Sequence, residues 1–264
     1  MILSATKIKD FKACRRLYYF KYVEGLTPLV ETIALKDGRT YHEKVEEIYN
    51  TGTFTPSGDI TDAMAMAYQK YIYPKFKVNK IEEWFNYPLN DKHTLIGRFD
   101  GITEDGLIVE HKTTIRDIDE EYLYDLQWNE QILCYMLAKN VNTIYYTVCK
   151  KPTIRKRLSE TDEEFVHRCC EWYDVDTDEK ITIIKFTRLN GEIQDFKKHL
   201  IELADEMEEC EKSNKLYCNS SNCYSYGVRC KYSSICLNYN KNIDYVDFIR
   251  DEAKLKEKKE NELF

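Results

Sequence analysis

The chain has 264 residues, of which 43% are hydrophobic, and a formal net charge of −7. This length predicts one large domain, or one domain with a small appendage, and no run approaches the ~18 apolar residues that span a bilayer. No signal peptide is recognisable at the N-terminus, so we expect a cytoplasmic protein without a membrane partner. The net charge means that any nucleic acid must be bound through a local basic lining or through metal ions.

The periodicity predicts helices first, then a small sheet, then alternating elements. In chain order, residues 5–21, 37–50 and 61–73 predict helices, with Ser4 as the N-cap of the first. Residues 81–87, 93–101 and 106–112 predict strands separated by turns. The remaining predictions are a helix over 120–138, a strand over 143–149, a helix over 161–173, a strand over 180–187 and a helix over 190–213. This order predicts an α/β or α+β core.

The C-terminal part has a different composition. Residues 214–240 are rich in Cys, Tyr, Ser and Asn and show little periodicity. Such a segment rarely folds on apolar burial alone, so a metal or cluster is the expected organiser. We therefore predict a main domain over residues 1–213, a cysteine-rich segment over 214–240 and a charged tail over 241–264.

The stretch with the clearest chemistry is GRFDGITEDGLIVEHKTT, residues 97–114. A hairpin here brings Asp100 next to Glu110, and strand alternation puts Glu110 and Lys112 on one face and His111 on the other. Two carboxylates suit Mg²⁺ or Mn²⁺, with the backbone carbonyl of His111 as a further ligand, while Lys112 positions or deprotonates an attacking water. A charged surface hairpin is the alternative, but the strand before Glu110 is apolar and therefore expected to be buried.

These residues resemble two motifs of the PD-(D/E)XK nuclease superfamily, through Gly97-x-x-Asp100 and Glu110-x-Lys112. The resemblance implies a restriction-endonuclease-like core that hydrolyses DNA with metal-activated water. In the RecB-like branch a histidine on an upstream helix completes the metal site, and His42 in Gly38-x-x-x-His42 matches it. By itself His42 also fits an ordinary, partly buried histidine.

Further residues are candidates for DNA contacts. Gln131-x-x-x-Tyr135 resembles the Gln-x-x-x-Tyr motif of the same branch, whose residues contact DNA or support the site. Helix packing is the alternative for this pair. Lys150, Lys151 and Arg155 belong to a basic cluster, which either binds phosphate or is a solvated loop.

Four cysteines, Cys14, Cys223, Cys230 and Cys236, resemble those of the iron–sulfur subgroup of RecB-like nucleases. That subgroup includes AddB-type domains, CRISPR-associated adaptation nucleases and phage exonucleases, and the resemblance implies a structural [4Fe–4S] cluster in a C-terminal subdomain. The spacing departs from its commonest form, and Cys218 is a possible replacement for one ligand. Zn²⁺ bound by four thiolates, or unbound thiols, are the alternatives.

The resemblance as a whole implies a metal-dependent DNA exonuclease that acts on DNA ends or single strands. The alternatives are a DNA-end-holding or CRISPR-adaptation or recombination subunit with weak or partner-dependent activity, and a zinc-stapled structural protein. The sequence has no G-x-x-x-x-G-K-[ST] loop, so a helicase partner is expected to be a separate protein. If the chain is phage-encoded, the expected compartment is the host cytoplasm.

Overall fold

The computed structural model describes residues 1–225, 227–237, 245 and 247–251. Nine α-helices lie within these residues: α1 (Ala5–Ala13), α2 (Arg15–Tyr18), α3 (Ile33–Thr51), α4 (Ile60–Tyr71), α5 (Glu120–Gln127), α6 (Glu130–Lys139), α7 (Asp162–Asp174), α8 (Asn190–Ser213) and α9 (Ser233–Leu237). The same residues form ten strands: β1 (Ile2–Leu3), β2 (Leu26–Pro28), β3 (Val78–Pro88), β4 (Thr94–Thr103), β5 (Ile108–Thr114), β6 (Thr143–Lys150), β7 (Ile181–Thr187), β8 (Tyr224–Ser225), β9 (Val228–Arg229) and β10 (Phe248–Arg250).

The chain forms two compact units. The first unit comprises Met1–Glu31, Asn86–Ile96 and the described part of Phe196–Phe264, and the second comprises Thr32–Phe85 and Gly97–Asp195. The predicted division into 1–213, 214–240 and 241–264 stays a prediction.

A mixed sheet lies at the centre of the second unit. β3 pairs with β4, and β4 runs antiparallel to β5 with Gly101 opposite Val109. β5 runs parallel to β6, with Glu110 opposite Tyr146, and α5 and α6 form the crossover that a parallel pair requires. β6 then pairs with β7 in the antiparallel sense. This mixed architecture confirms the α/β prediction.

The helices α3, α4 and α7 bury their apolar faces in one core with residues of β6 and β7. The buried amine of Lys44 on α3 donates to Ser57 at 2.7 Å and to Thr61 at 2.6 Å, and it forms an ion pair with Asp62. Because every donor has a partner, this buried charge is compatible with the core. The packing fixes α3, which carries His42, within the second unit.

One apolar cluster of the first unit forms around an aromatic stack. Its members are Phe20, Leu26, Tyr232, Ile235 and Phe248. The Tyr232 ring stacks on Phe20 at 6.0 Å and on Phe248 at 5.4 Å between centroids. Phe20 and Leu26 near the N-terminus thus pack with residues that lie more than two hundred positions later. The cysteine-rich segment contributes to this cluster although its sequence has little periodicity.

The predicted helix over 5–21 is wrong in its continuity, because it is interrupted at Cys14. Cys14 has extended backbone angles (φ −165°, ψ 118°), so α1 ends before it and α2 begins after it. The side-chain amide of Asn219 donates to the Ala13 carbonyl at 2.9 Å, and Asn222 donates to the same oxygen at 2.5 Å. Side chains distant in sequence therefore satisfy a carbonyl that a continuous helix would have used.

The predicted helix over 120–138 is two helices, α5 and α6, which meet at Trp128 and Asn129. The Asn129 side chain accepts a hydrogen bond from the backbone N–H of Gln131, so it caps α6. Asparagine is among the preferred N-cap residues, and this signal was present in the sequence. The cap determines where the helix that carries Gln131 and Tyr135 begins.

Most of the predicted charged tail, residues 241–244, 246 and 252–264, lies outside the described residues. Within the tail, Phe248–Arg250 forms β10, which pairs with β2. Among the helices that the structure describes, none has both the length and the apolar character needed to cross a membrane.

Candidate metal centre

Asp100 and Glu110 lie on neighbouring antiparallel strands. The strand register pairs Gly101 with Val109, so one further step along both strands places Asp100 opposite Glu110. The Oδ2 atom of Asp100 accepts a hydrogen bond of 2.8 Å from the backbone N–H of His111. Both carboxylates are buried, Asp100 with 8% and Glu110 with 2% of the residue exposed.

A donor group suited to a metal ion forms around Asp100. One ligand atom each of His42, Glu82 and Asp100 lies within 4.8 Å of the other two. The Nδ1 atom of His42 is 3.6 Å from Oδ1 of Asp100. The three residues come from α3, β3 and β4, so the group requires all three elements in place. One imidazole and two carboxylates form a donor set that divalent cations accept.

Glu82 is a functional candidate that the sequence reasoning missed. Its backbone has φ of 53°, in the left-handed region that non-glycine residues rarely adopt. Such a conformation inside a strand changes the direction of the side chain, and rare backbone conformations cluster at functional sites. The sequence did contain a signal, because Glu82 and Glu83 are adjacent in a strand whose side chains should alternate.

Glu110 lies beside this donor group and not within it. Its Oε1 atom accepts hydrogen bonds from Lys112 Nζ at 2.6 Å and from Gln131 Nε2 at 3.0 Å. Its Oε2 atom is buried and has no hydrogen-bond partner. A buried carboxylate oxygen without a partner is costly unless a cation or water satisfies it, so this oxygen is a further candidate ligand atom.

Gln131 and Tyr135 on α6 connect β5 to β4 through hydrogen bonds. Lys112 Nζ donates to Gln131 Oε1 at 2.8 Å, and Gln131 Nε2 donates to the Tyr135 hydroxyl at 2.7 Å. That hydroxyl donates in turn to the backbone carbonyl of Arg98 on β4 at 2.8 Å. This series of hydrogen bonds orients Lys112 and Glu110. In this structure Gln131 and Tyr135 therefore support the site. Their predicted contact with DNA stays a prediction.

Gly97 has a packing role at the same place. A Cβ atom at residue 97 would lie 2.6 Å from the ring of Phe85. The Phe85 ring stacks on Phe99 at 4.6 Å and meets the ring of Tyr135 edge-on at 5.7 Å. The absence of a side chain at Gly97 therefore leaves room for the aromatic cluster that holds Tyr135.

The imidazole of His111 is not a member of the donor group, although its ring lies edge-on to the His42 ring with 6.0 Å between the centroids. Its Nδ1 atom is 2.8 Å from the Thr147 hydroxyl, and its Nε2 atom is buried without a hydrogen-bond partner. The ring packs edge-on against Tyr68 at 5.1 Å. The structure therefore does not bring the imidazole into the group with His42, and a backbone-carbonyl ligand at His111 stays a prediction.

The predicted basic cluster does not form one open surface. Lys151 is buried, and its amine donates to the Ala34 carbonyl at 3.1 Å and lies 3.2 Å from Asp37. Lys150 forms an ion pair with Asp117. Arg155 is exposed. Lys151 thus holds the start of α3, and phosphate binding by these three residues stays a prediction.

The two facing carboxylates have opposite pKa shifts. Burial, and then the charge of Asp100, raise the pKa of Glu110 to about 8. Burial also penalises the charge of Asp100, but the neighbouring His42 outweighs it and holds the pKa of Asp100 well below its usual range. For Lys112, burial disfavours the charge, yet the carboxylate of Glu110 keeps its pKa above the usual value. Below about pH 8 Glu110 therefore retains its proton, and the metal-free site has fewer negative charges than it has carboxyl groups.

These pKa shifts predict that the metal-free protein loses stability as pH rises from 6.5 to about 8. In this window native Glu110 retains a proton that the unfolded chain, with an ordinary value of 4.5, has released. Stability therefore falls with pH, by at most about 1.4 kcal/mol per unit for one proton. The raised pKa of His42 acts in the same direction.

The window begins at 6.5 because of His111. Burial lowers the pKa of native His111 to about 3, so this residue makes stability rise with pH only below its ordinary value of 6.5. The measurement is urea unfolding in EDTA at several pH values, for the wild type and Glu110→Gln. The variant should show a shallower decline. A wild-type protein whose free energy of unfolding rises across this window would contradict the assignment.

Part of the chain matches a known protein family. Residues 2–85 match the family model described as the PD-(D/E)XK nuclease superfamily. The match includes His42 and Glu82 and ends before Asp100, so the grouping of Asp100, Glu110 and Lys112 depends on the geometry. No curated protein matches the chain.

Several solved structures resemble the chain at low identity. A protein of Eubacterium rectale is 12% identical, covers 92% of this chain and 89% of its own, and has a TM-score of 0.48. A phage-related exonuclease from Haemophilus somnus 129PT is 13% identical, with coverages of 81% and 96% and a TM-score of 0.40. The alkaline exonuclease LHK-Exo from Laribacter hongkongensis is 13% identical, with coverages of 81% and 94% and a TM-score of 0.36. Because these TM-scores are all below one half, the functional assignment depends on the family match and on the site.

Proposed function

We propose that this chain is a metal-dependent nuclease of the PD-(D/E)XK superfamily, which hydrolyses phosphodiester bonds in DNA and removes nucleotides from ends. The observation that carries the proposal is the convergence of His42, Glu82 and Asp100 next to Glu110 and Lys112. The family match supplies the reaction class. DNA as substrate, and action at an end, are parts of the proposal.

The residues present fit a divalent cation. His42, Glu82 and Asp100 supply three donor atoms, and the buried Oε2 of Glu110 supplies an oxygen with no other partner. A cation bound there polarises the phosphoryl oxygen and lowers the pKa of a bound water. We propose Mg²⁺ or Mn²⁺, because the donor set is dominated by carboxylate oxygen.

Lys112 acts in this proposal as a cation and a hydrogen-bond donor. Its raised pKa favours the charged amine, which cannot accept a proton from water. The amine is fixed by Glu110 and Gln131 and is positioned to offset the negative charge that develops at the phosphate. Of the two roles that the sequence left open, the charged amine supports positioning of the attacking water over its deprotonation.

The experiment is digestion of single- and double-stranded DNA labelled at one end, by protein purified without oxygen. Mg²⁺, Mn²⁺ and EDTA are compared. Shortening that needs metal and proceeds from an end supports the proposal and reveals the polarity. Cleavage only at internal positions would replace the exonuclease with an endonuclease. DNA binding without cleavage under all conditions would favour the DNA-end-holding or adaptation subunit.

We also propose that the first unit holds a [4Fe–4S] cluster through Cys14, Cys223, Cys230 and Cys236. All four line one cavity, together with Cys218. The interruption between α1 and α2 lies at Cys14, and the Cys14 sulfur accepts a hydrogen bond of 3.3 Å from the Asn219 N–H. Thiolates are the usual ligands of such a cluster.

Among the described residues, the cavity sulfur atoms do not form the compact group that surrounds a single zinc ion. Around tetrahedral Zn²⁺ with bonds of about 2.3 Å, the four sulfurs lie about 3.8 Å apart. Cys218 and Cys223 have this separation, at 3.7 Å. However, no three of the cavity cysteines, all of which the structure describes, have sulfur atoms within 4.8 Å of one another.

A further inference from the structure

The strands that carry Glu82 and Asp100 also carry an exposed tryptophan and an exposed arginine. Trp84 follows Glu82 by two residues on β3, and Arg98 precedes Asp100 by two residues on β4. Trp84 is 69% exposed, and the side chain of Arg98 is 49% exposed. Residues two apart on a regular strand share a face, so Arg98 lies on the face of β4 that carries Asp100.

Three contacts fix Arg98 in this place. Its Cζ atom lies 5.6 Å from the centroid of the Trp84 ring, which is a cation–π distance. Its Nε atom forms an ion pair with Oε2 of Glu82, a member of the donor group. Its backbone carbonyl accepts the hydrogen bond from Tyr135. The guanidinium therefore lies between a candidate metal ligand and an exposed indole.

We propose that Trp84 and Arg98 form a nucleotide subsite beside the metal centre, which we call the Trp84–Arg98 platform. The exposed indole of Trp84 stacks on an unpaired base, and the guanidinium of Arg98 donates to a phosphate next to the cleaved bond. The platform serves the reaction proposed above and therefore rests on that proposed function.

The chemistry of the pair indicates which substrate it accepts. A guanidinium presents a planar set of donors that matches phosphate oxygens. An indole face stacks on any of the four bases, so the platform contributes affinity without sequence preference. Bases inside a duplex are already stacked on both faces. The platform thus selects single strands or frayed ends, a preference that the metal centre alone does not provide.

The first test measures DNA binding without turnover. The dissociation constant of a labelled single-stranded oligonucleotide is measured with Ca²⁺ in place of Mg²⁺, for the wild type, Trp84→Ala and Trp84→Phe. Loss of one stacking contact should weaken binding about tenfold in Trp84→Ala, and the aromatic ring of Trp84→Phe should restore most of it. Unchanged binding by Trp84→Ala would overturn the proposal.

Trp128→Ala is the matched control. Trp128 is 71% exposed, about as much as Trp84, but its ring contacts Tyr124 edge-on at 6.1 Å. Binding within about twofold of the wild type is expected for this variant, since it leaves the platform intact. A loss as large as that of Trp84→Ala would show a general surface effect and overturn the proposal.

The second test removes the base from the DNA. A single abasic position is moved along the oligonucleotide, and one position should weaken wild-type binding by the same factor as Trp84→Ala. Combining that abasic DNA with Trp84→Ala should cause no further loss, because both changes remove one contact. If the loss from Trp84→Ala and the loss from the abasic site multiply wherever the abasic site is placed, the proposal is overturned. These tests need no cleavage, so a wild type that binds through the platform without cutting refutes only the proposed function.

Discussion

Replacing Asp100 by asparagine is expected to lower metal-dependent cleavage by about 10³-fold or more while the fold is retained. Asparagine has nearly the same shape and still has a side-chain oxygen to accept the 2.8 Å hydrogen bond from the His111 N–H. It lacks the negative charge that makes the donor group with His42 and Glu82 attractive to a cation. The loss should therefore affect metal binding and the chemical step together.

Single-turnover cleavage over a range of Mn²⁺ concentrations measures this effect. If the loss is partly in metal affinity, higher Mn²⁺ restores some of the rate, whereas a general folding defect would not respond. Asp174→Asn is the matched control, because Asp174 is exposed and pairs with Lys70, outside the donor group. The control should cleave at the wild-type rate. Cleavage by Asp100→Asn within tenfold of the wild type would rule out Asp100 as a metal ligand.

The pairing of Asp100 with Glu110 was predictable because it is local in sequence. A turn of a few residues joins β4 to β5, and alternation fixes which side chains share a face. The buried state of Glu110 follows from the apolar residues before it on β5. Hairpin pairing and strand alternation, which are local in sequence, were therefore enough to predict the part of the site where two carboxylates are buried side by side.

Glu82 was not predictable in the same way. Strand alternation cannot determine whether Glu82 or Glu83 faces the site, because the left-handed backbone at Glu82 breaks the regular pattern. That conformation is fixed by tertiary contacts, including the ion pair with Arg98 on the neighbouring strand. The burial of Lys151 was not predictable either. Nothing in the sequence distinguishes it from a solvated basic residue, yet it is buried against Ala34 and Asp37.

The interruption of the first helix also depends on distant residues. Nothing in the sequence around Cys14 breaks a helix, and the carbonyl before it is satisfied by Asn219 and Asn222, about two hundred residues later. The sequence identified Cys14 as a candidate ligand only through a family resemblance. The structure adds a physical reason, because the extended backbone at Cys14 occurs where its sulfur joins the cavity of the other cysteines.

Replacing Cys14 by alanine is expected to remove iron from the anaerobically purified protein and to lower its melting temperature by about 10 °C or more. The cluster should supply about four iron and four sulfide per chain, and the binding free energy of such a site contributes directly to folding. The effect should be large because Phe20 and Tyr232 line the cavity of the cysteines and belong to a small apolar cluster with Leu26, Ile235 and Phe248, which the iron–sulfur cluster would adjoin. Iron and sulfide analysis with thermal unfolding measures both consequences.

Cys170→Ala is the matched control, because Cys170 is a half-buried thiol on α7 in the second unit. It should retain full iron content. Cys218→Ala tests the ligand set, since Cys218 lines the same cavity and lies 3.7 Å from Cys223. Retained iron in Cys218→Ala, with loss in Cys223→Ala, supports the four proposed ligands, and the reverse result exchanges Cys218 for Cys223. Stoichiometric zinc without iron in anaerobically prepared wild-type protein would replace the cluster with a tetrahedral ion and would require the cavity sulfurs to move closer together.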